Sequence, residues 1–128
     1  MDKGKFSVWK RIFCVEPHNA TWNEFILANE NDDILGKIRT LESPPGSGIC
    51  WIESLTVDPN FKRRGWGSKL IEIAAENARN KGYHSILGEL VPDECSTVED
   101  LIQFYKKNGF TITRKEDVFN PVIEMVLE

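Results

Sequence analysis

The sequence is poor in the residues and runs that mark several large protein classes. It has two histidines, His18 and His84, and three cysteines, Cys14, Cys50 and Cys95, with no CxxC pair. Three cysteines cannot close a complete disulfide set, and neither spacing suits a zinc site. In a reducing compartment they read as small, partly buried apolar side chains. No apolar run approaches the roughly 20 residues that span a bilayer. The opening Met1-Asp2-Lys3-Gly4-Lys5 leads into a strand-like segment without the apolar core of a signal peptide. The expectation is a cytoplasmic protein with no membrane partner. A basic excess is missing too: 16 Lys and Arg against 20 Asp and Glu leave a formal charge of -4. A nucleic-acid partner, which needs a basic field to displace counterions, is therefore not expected.

What is present is ordinary globular material, 41% hydrophobic and 28% charged over 128 residues. That length suits one domain over 1–128, and no repeat, low-complexity run or linker divides it. Phe6–Val15, rich in aromatic and β-branched residues, predicts a first strand. Residues 21–41 allow a helix capped by Thr21 and Glu24, or a hairpin. Five turn-forming or acidic residues at 29–33 favour the hairpin, with arms at Phe25–Ala28 and Ile34–Leu41. Ile49–Val57 reads as a strand whose alternation would put Trp51, Glu53, Leu55 and Val57 on one face. A helix follows Gly65-Trp66-Gly67-Ser68, with Trp66, Leu70, Ile73 and Ala74 inward, and closes at Lys81-Gly82. Ser85–Val91 is a short strand. Ser96-Thr97-Val98-Glu99 has capping-box spacing before a second helix ending at Asn108-Gly109. Phe110–Arg114 and Val122–Leu127 close the chain. The fold class is α/β, a mixed sheet with helices against it.

The segment Val57-Asp58-Pro59-Asn60-Phe61-Lys62-Arg63-Arg64-Gly65-Trp66-Gly67-Ser68 carries the clearest chemistry. A helix N-terminus offers N–H groups and partial positive charge, which suits phosphate. Gly65 and Gly67 admit a ligand where a Cβ would collide. Lys62, Arg63 and Arg64 add full charges at the same mouth. The pattern is neither GxGxxG nor GxxxxGK[ST], so it supports neither a dinucleotide nor a nucleoside-triphosphate fold. The plain alternative is a tight left-handed turn with an exposed basic cluster and no ligand.

Val57-x-Pro59-x-x-Lys62-x-x-Gly65-x-Gly67, between a strand and a helix, resembles the signature of the GNAT superfamily of N-acetyltransferases. Phe104-Tyr105-Lys106-Lys107-Asn108-Gly109-Phe110 is similar to that family's second landmark. Ile34-Leu35-Gly36 resembles its second and third strands, and Ile123–Leu127 its last. The resemblance runs from about Phe25 to the end. It implies a shortened GNAT fold and an acetyl-CoA-dependent N-acetyltransferase acting on a small-molecule or protein amine. By position, Leu55, Thr56 and Val57 would pair with the pantetheine arm, and Lys62, Arg63, Arg64, Gly65, Trp66, Gly67 and Ser68 would hold the pyrophosphate. Tyr105 would protonate the departing thiolate, and Lys107 would join the cofactor-binding set. Lys62 stands where the family has Gln or Arg, keeping charge but losing planar bidentate geometry. The family's helices between its first two strands have no room in Glu16–Ala20. The acceptor side would then be open, or covered by a second subunit in a homodimer. The asparagine the family often has after its fifth strand finds no match at Pro92–Ser96.

An acceptor amine with pKa about 10.4 is protonated at pH 7, and freeing its lone pair costs roughly 4.6 kcal/mol. A carboxylate can take that proton directly or through water. Glu53, mid-strand beside the pantetheine-pairing residues, is the first candidate, Glu89 the reserve, and water a third option. Cys95 before a helix N-terminus leaves an acetyl-cysteine route as a minor alternative. Asp93, Glu94, Glu99 and Asp100 form either a solvated face or a field steering a cationic amine. Two rivals stand beside the enzyme reading: a CoA-binding sensor or interaction module without turnover, and a subunit active only inside a complex.

Overall fold

A computed structural model of the chain describes residues 6–15, 20–91, 96–113 and 120–127. Ten elements follow in order: β1 (Phe6–Val15), β2 (Ala20–Asn29), β3 (Ile34–Glu42), β4 (Ile49–Val57), a short 3₁₀ turn (Pro59–Phe61), α1 (Trp66–Asn80), β5 (Ser85–Glu89), α2 (Val98–Lys107), β6 (Thr111–Thr113) and β7 (Val122–Val126). The strands form one seven-stranded sheet in the order β1-β2-β3-β4-β5-β7-β6. Every adjacent pair is antiparallel except β4 with β5, which α1 connects as a crossover. This is the mixed α/β architecture expected from the order of elements.

The hairpin reading of residues 21–41 holds, and its tip explains why a helix does not form there. Asn29 Oδ1 accepts from the N–H groups of Asn31 and Asp33, both at 2.9 Å. Asp32 takes a positive φ of 65°, which an acidic turn residue tolerates. Side-chain bonds of this kind compete with the helical ladder. The first arm is longer than expected: β2 begins at Ala20, and Trp22 to Glu24 belong to it. Glu24 is only 2% exposed, clasped by Arg11 at 2.8 Å from β1 and Arg39 at 2.9 Å from β3. Burial works to raise its pKa, but the hydrogen bond from Arg39 and the charges of both arginines prevail and hold it below the ordinary carboxylate range.

Strict alternation fails in β4. Arg39 pairs with Ser54 but Thr40 pairs with Ile52, so Glu53 is an extra, bulged residue. The bulge reverses which face the side chains take. Cys50 and Ile52 point to the core before it, and Leu55 and Val57 after it. Glu53 therefore does not share a face with Leu55 and Val57, and it is exposed.

The first helix buries a wider stripe than its sequence suggests. α1 buries Trp66, Leu70, Ile71, Ala74, Ala75 and Ala78, so Ile71 and Ala75 replace Ile73 at the centre of the buried face. Small alanines let the helix lie close against four strands. Its end is a left-handed glycine, Gly82 at φ 77°, with Tyr83 N–H bonded to Ala78 O. The capping box of α2 sits one residue later than its sequence spacing suggests: Thr97 accepts from the Asp100 N–H at 3.1 Å, and Asp100 reaches back. Cys50, Ile86, Leu90, Tyr105, Phe110 and Ile123 join both helices and the sheet centre in one cluster.

Candidate active site

The two halves of β4 have different neighbours. Residues Ile49 to Ile52 pair with Ser85 to Gly88 of β5, and there the parallel ladder stops. β4 runs on for five residues paired only with β3, so its backbone on the β5 side has no strand partner among the described residues. A strand edge left open in this way can bind an extended chain of amide groups. Gly88 marks the parting point, because a Cβ there would lie 3.1 Å from Ile123 Cδ1 and 3.7 Å from Ile52 Cβ.

Beyond the strand, the chain folds into a turn shaped for an anion. Asp58 accepts from Asn60 N–H at 2.9 Å and starts the 3₁₀ turn. Arg63 and Gly65 then adopt positive φ values of 65° and 85°. Left-handed residues in close succession curl the backbone into an N–H-lined nest. Gly65, which has no side chain, is the N-cap of α1, and the first turn of that helix holds no acidic residue. α2, in contrast, is closed by its own capping box and carries Glu99 and Asp100 in its first turn. The positive end of the α1 dipole therefore suits an anion, whereas that of α2 is neutralised internally.

These parts enclose a cavity of about 580 Å³. Leu55 and Val57 line it from β4, Lys62, Arg63 and Gly65 from the turn, Trp66, Gly67 and Ser68 from α1, and Tyr105 and Lys107 from α2. Ser96, Leu101 and Phe104 also line it, and among the described residues the wall holds three basic side chains and no acidic one. Several of the residues singled out in the sequence lie elsewhere, among them Glu89, whose Oε1 accepts from Asn120 Nδ2 at 2.7 Å. Thr56 faces the opposite side of the sheet, in a smaller groove with Ile26 and Lys37. The guanidinium of Arg64 lies over the Phe61 ring at 5.9 Å. Glu53 stands on the bulge outside the cavity wall. Cys95, Asp93, Glu94 and His18 lie outside the described residues.

Sequence reasoning passed over Phe104, and the structure gives it a definite part. A Cβ on Gly67 would lie 3.1 Å from Phe104 Cζ and 3.3 Å from its Cε1. Gly67 therefore does more than admit a ligand: it lets α2 seat against the first turn of α1. The pairing of a ring with a glycine thirty-seven residues away leaves no trace in local periodicity.

Tyr105 is 8% exposed and stacks edge-on between Phe104 and Phe110, with ring centroids 5.1 and 5.3 Å away. Burial pushes its pKa up to about 12. Its hydroxyl has no hydrogen-bond partner among the described residues, although the side chain lines the cavity. A buried phenol in that state is a neutral donor awaiting an acceptor.

The family model for the acetyltransferase (GNAT) domain matches residues 21–112. The chain belongs to the GNAT acetyltransferase family. Solved structures agree on the fold of this GNAT domain. An acetyltransferase of the GNAT family from Staphylococcus aureus superposes with TM-score 0.69 at 17% identity, over 84% of this chain and 68% of that one. Nourseothricin acetyltransferase gives 0.68 at 16%, over 94% and 85%. A Bacillus subtilis acetyltransferase solved in complex with CoA gives 0.68 at 20%, over 84% and 78%. Among curated proteins no sequence matches this GNAT chain.

The residues present fit an acyl-CoA. The basic nest at the start of α1 suits its phosphates, the open edge of β4 suits its amide-bearing arm, and the apolar inner wall suits an acyl thioester.

Proposed function

We propose that this chain is an acetyl-CoA-dependent N-acetyltransferase that passes the acetyl group directly to a primary amine. The observation that carries the reading is a convergence within one cavity. The open edge of β4, the Gly65-capped N-terminus of α1 beside three cations, and Tyr105 all border the same space. Backbone groups of Leu55 to Val57 would hold the pantetheine arm straight. Lys62, Arg63 and the amides of residues 65 to 68 would hold the pyrophosphate, with Lys107 adding charge from α2.

In the reaction the amine nitrogen attacks the thioester carbonyl carbon. A C–N bond forms, the C–S bond breaks, the nitrogen loses a proton and the sulfur gains one. Tyr105 stands where it can donate to that sulfur. Its raised pKa sharpens the role. Set against a thiol near 8.5, a phenol near 12 gives up its proton uphill by about 3.5 units in bulk-water terms. The same desolvation raises a thiolate lodged in the cavity, so the gap narrows there. Tyr105 therefore acts first as a hydrogen-bond donor to the developing charge, and as a proton donor once the C–S bond has opened.

The exposed position of Glu53, outside the cavity wall, favours a second reading, a CoA-binding module without turnover. One assay separates the two: thiol release from acetyl-CoA with a panel of amines, with product mass read by spectrometry. The enzyme reading expects equal amounts of thiol and of an acceptor heavier by one acetyl group. Acetyl-CoA that raises the melting temperature but releases thiol with no amine would leave the binding module standing.

A further inference from the structure

We infer that β1 is the pairing edge of a homodimer, in which two copies join their sheets antiparallel about Trp9. The strand lies at the end of the sheet, with β2 as its one partner among the described residues. It is ten residues long, contains no Pro or Gly, and pairs with β2 from Phe6↔Asn29 to Val15↔Ala20 without a bulge. Phe6, Val8, Trp9 and Ile12 are exposed by 37%, 40%, 44% and 58%. Soluble monomers blunt such an edge with a short strand, a bulge, a proline or outward charges. β1 is long, unbulged and free of proline, and its charges are confined to two exposed cations, Lys10 and Arg11. The two cations of the strand are turned back onto their own chain, Lys10 Nζ onto Asn77 Oδ1 at 2.9 Å and Arg11 onto Glu24 at 2.8 Å.

The occupant that fits is a second copy. Like charges directly opposite one another destabilise a strand pair. A register centred on Lys10, on Arg11 or between them sets cation against cation. Centring on Trp9 sets Lys10 against Val8, Arg11 against Ser7, Ile12 against Phe6 and Trp9 against itself. Three of the four exposed apolar side chains then meet an apolar partner. This register also places a two-fold axis perpendicular to the sheet, as an isologous dimer requires, and keeps both helical layers on one side. Phe6 lies against Trp66 of the cavity wall with ring centroids 5.6 Å apart, so Ile12 of the second copy would close over that edge of the site.

The test uses the whole chain in a background with Cys14 and Cys95 replaced by serine. Sedimentation should show a dimer. Trp9→Cys should cross-link through itself on mild oxidation, because residues directly opposite in an antiparallel pair lie within disulfide reach. Ile12→Cys should not, since its two copies would stand about 20 Å apart along the strands. Trp9→Lys, which sets like charges at the axis, should raise the dimer dissociation constant roughly tenfold with an unchanged far-ultraviolet circular dichroism spectrum. A monomer at tens of micromolar overturns the inference. So does Ile12→Cys cross-linking as readily as Trp9→Cys, or a dimer indifferent to Trp9→Lys.

Discussion

Replacing Gly67 tests the packing and the chemistry of the site together. An added Cβ at this position meets the Phe104 ring at 3.1 and 3.3 Å and Val57 Cγ2 at 3.7 Å. Alanine in place of a helical glycine gains roughly 0.5–1 kcal/mol of backbone entropy. The close contact takes that back, so Gly67→Ala should leave stability nearly unchanged. Valine adds two methyl groups to the same crowded space, where overpacking costs about 1–3 kcal/mol. For a domain of this size that corresponds to a fall in melting temperature of roughly 3–15 °C. Relief must come from Phe104, so α2 moves outward and takes Tyr105 with it. Saturating acetyl-CoA at about 100 times its dissociation constant should add ~2.7 kcal/mol to the parent protein and much less to Gly67→Val. The double variant Gly67→Val/Phe104→Leu makes room at the contact. It should recover stability with a coupling of about 0.5–3 kcal/mol. Thermal melts with and without cofactor on the four members of that cycle decide the matter. Additive effects of the two substitutions, or a full cofactor shift in Gly67→Val, would refute the contact as the cause.

Two further predictions rest on titratable groups. Glu24 has a depressed pKa, so its stabilisation is complete above the unfolded carboxyl value of about 4.3 and disappears as pH falls through the lower folded value. Glu24→Gln should therefore flatten the acid limb below about pH 4.3. It should also cost roughly 2–3 kcal/mol at neutral pH, less than a fully buried pair because Arg11 is 62% and Arg39 33% exposed. Tyr105 has the opposite sign: its contribution is complete below about pH 10 and is lost as pH rises toward about 12, so Tyr105→Phe should remove that alkaline loss. With a confirmed acceptor, Tyr105→Phe should lower kcat by about 10²- to 10⁴-fold, with little change in acetyl-CoA affinity. Glu53 lies outside the cavity wall, so Glu53→Gln should leave the pH–rate profile unchanged; a rate lost at neutral pH and regained where the amine deprotonates unaided would return the base role to it.

Local chemistry was readable and lateral chemistry was not. The hairpin tip at 29–33, the glycine that stops α1 and the basic turn before it depend on residues adjacent in sequence. They stand where the residues indicate. The bulge at Glu53 arises because β3 and β4 pair with unequal residue counts, and nothing within Ile49–Val57 announces that. Strict period-2 alternation therefore assigned Glu53 to the wrong face. Glu24 looked like part of a cap because the arginines that bury it are thirteen and fifteen residues distant. The raised pKa of Tyr105 has the same lateral origin: its desolvation depends on α2 packing against strands from elsewhere in the chain.

The bulge and the parting of β4 from β5 belong to one construction. A parallel pair carried on to Val57 would satisfy the backbone of β4 and leave no cavity. It ends at Ile52↔Gly88, where the missing Cβ of Gly88 lets Ile123 fill the fork from β7. One residue later Glu53 bulges, and the added twist swings the rest of β4 away while turning Leu55 and Val57 inward. The open edge is thus produced by backbone geometry on one side and sealed by an isoleucine on the other. Each feature alone is an irregularity with an energetic penalty. Together they deliver an unpaired strand edge to the same cavity as a helix end capped by Gly65. Departures from regular structure that converge on one space are better explained by a ligand than by chance, because each leaves backbone polar groups that a long amide-bearing and phosphate-bearing molecule can satisfy.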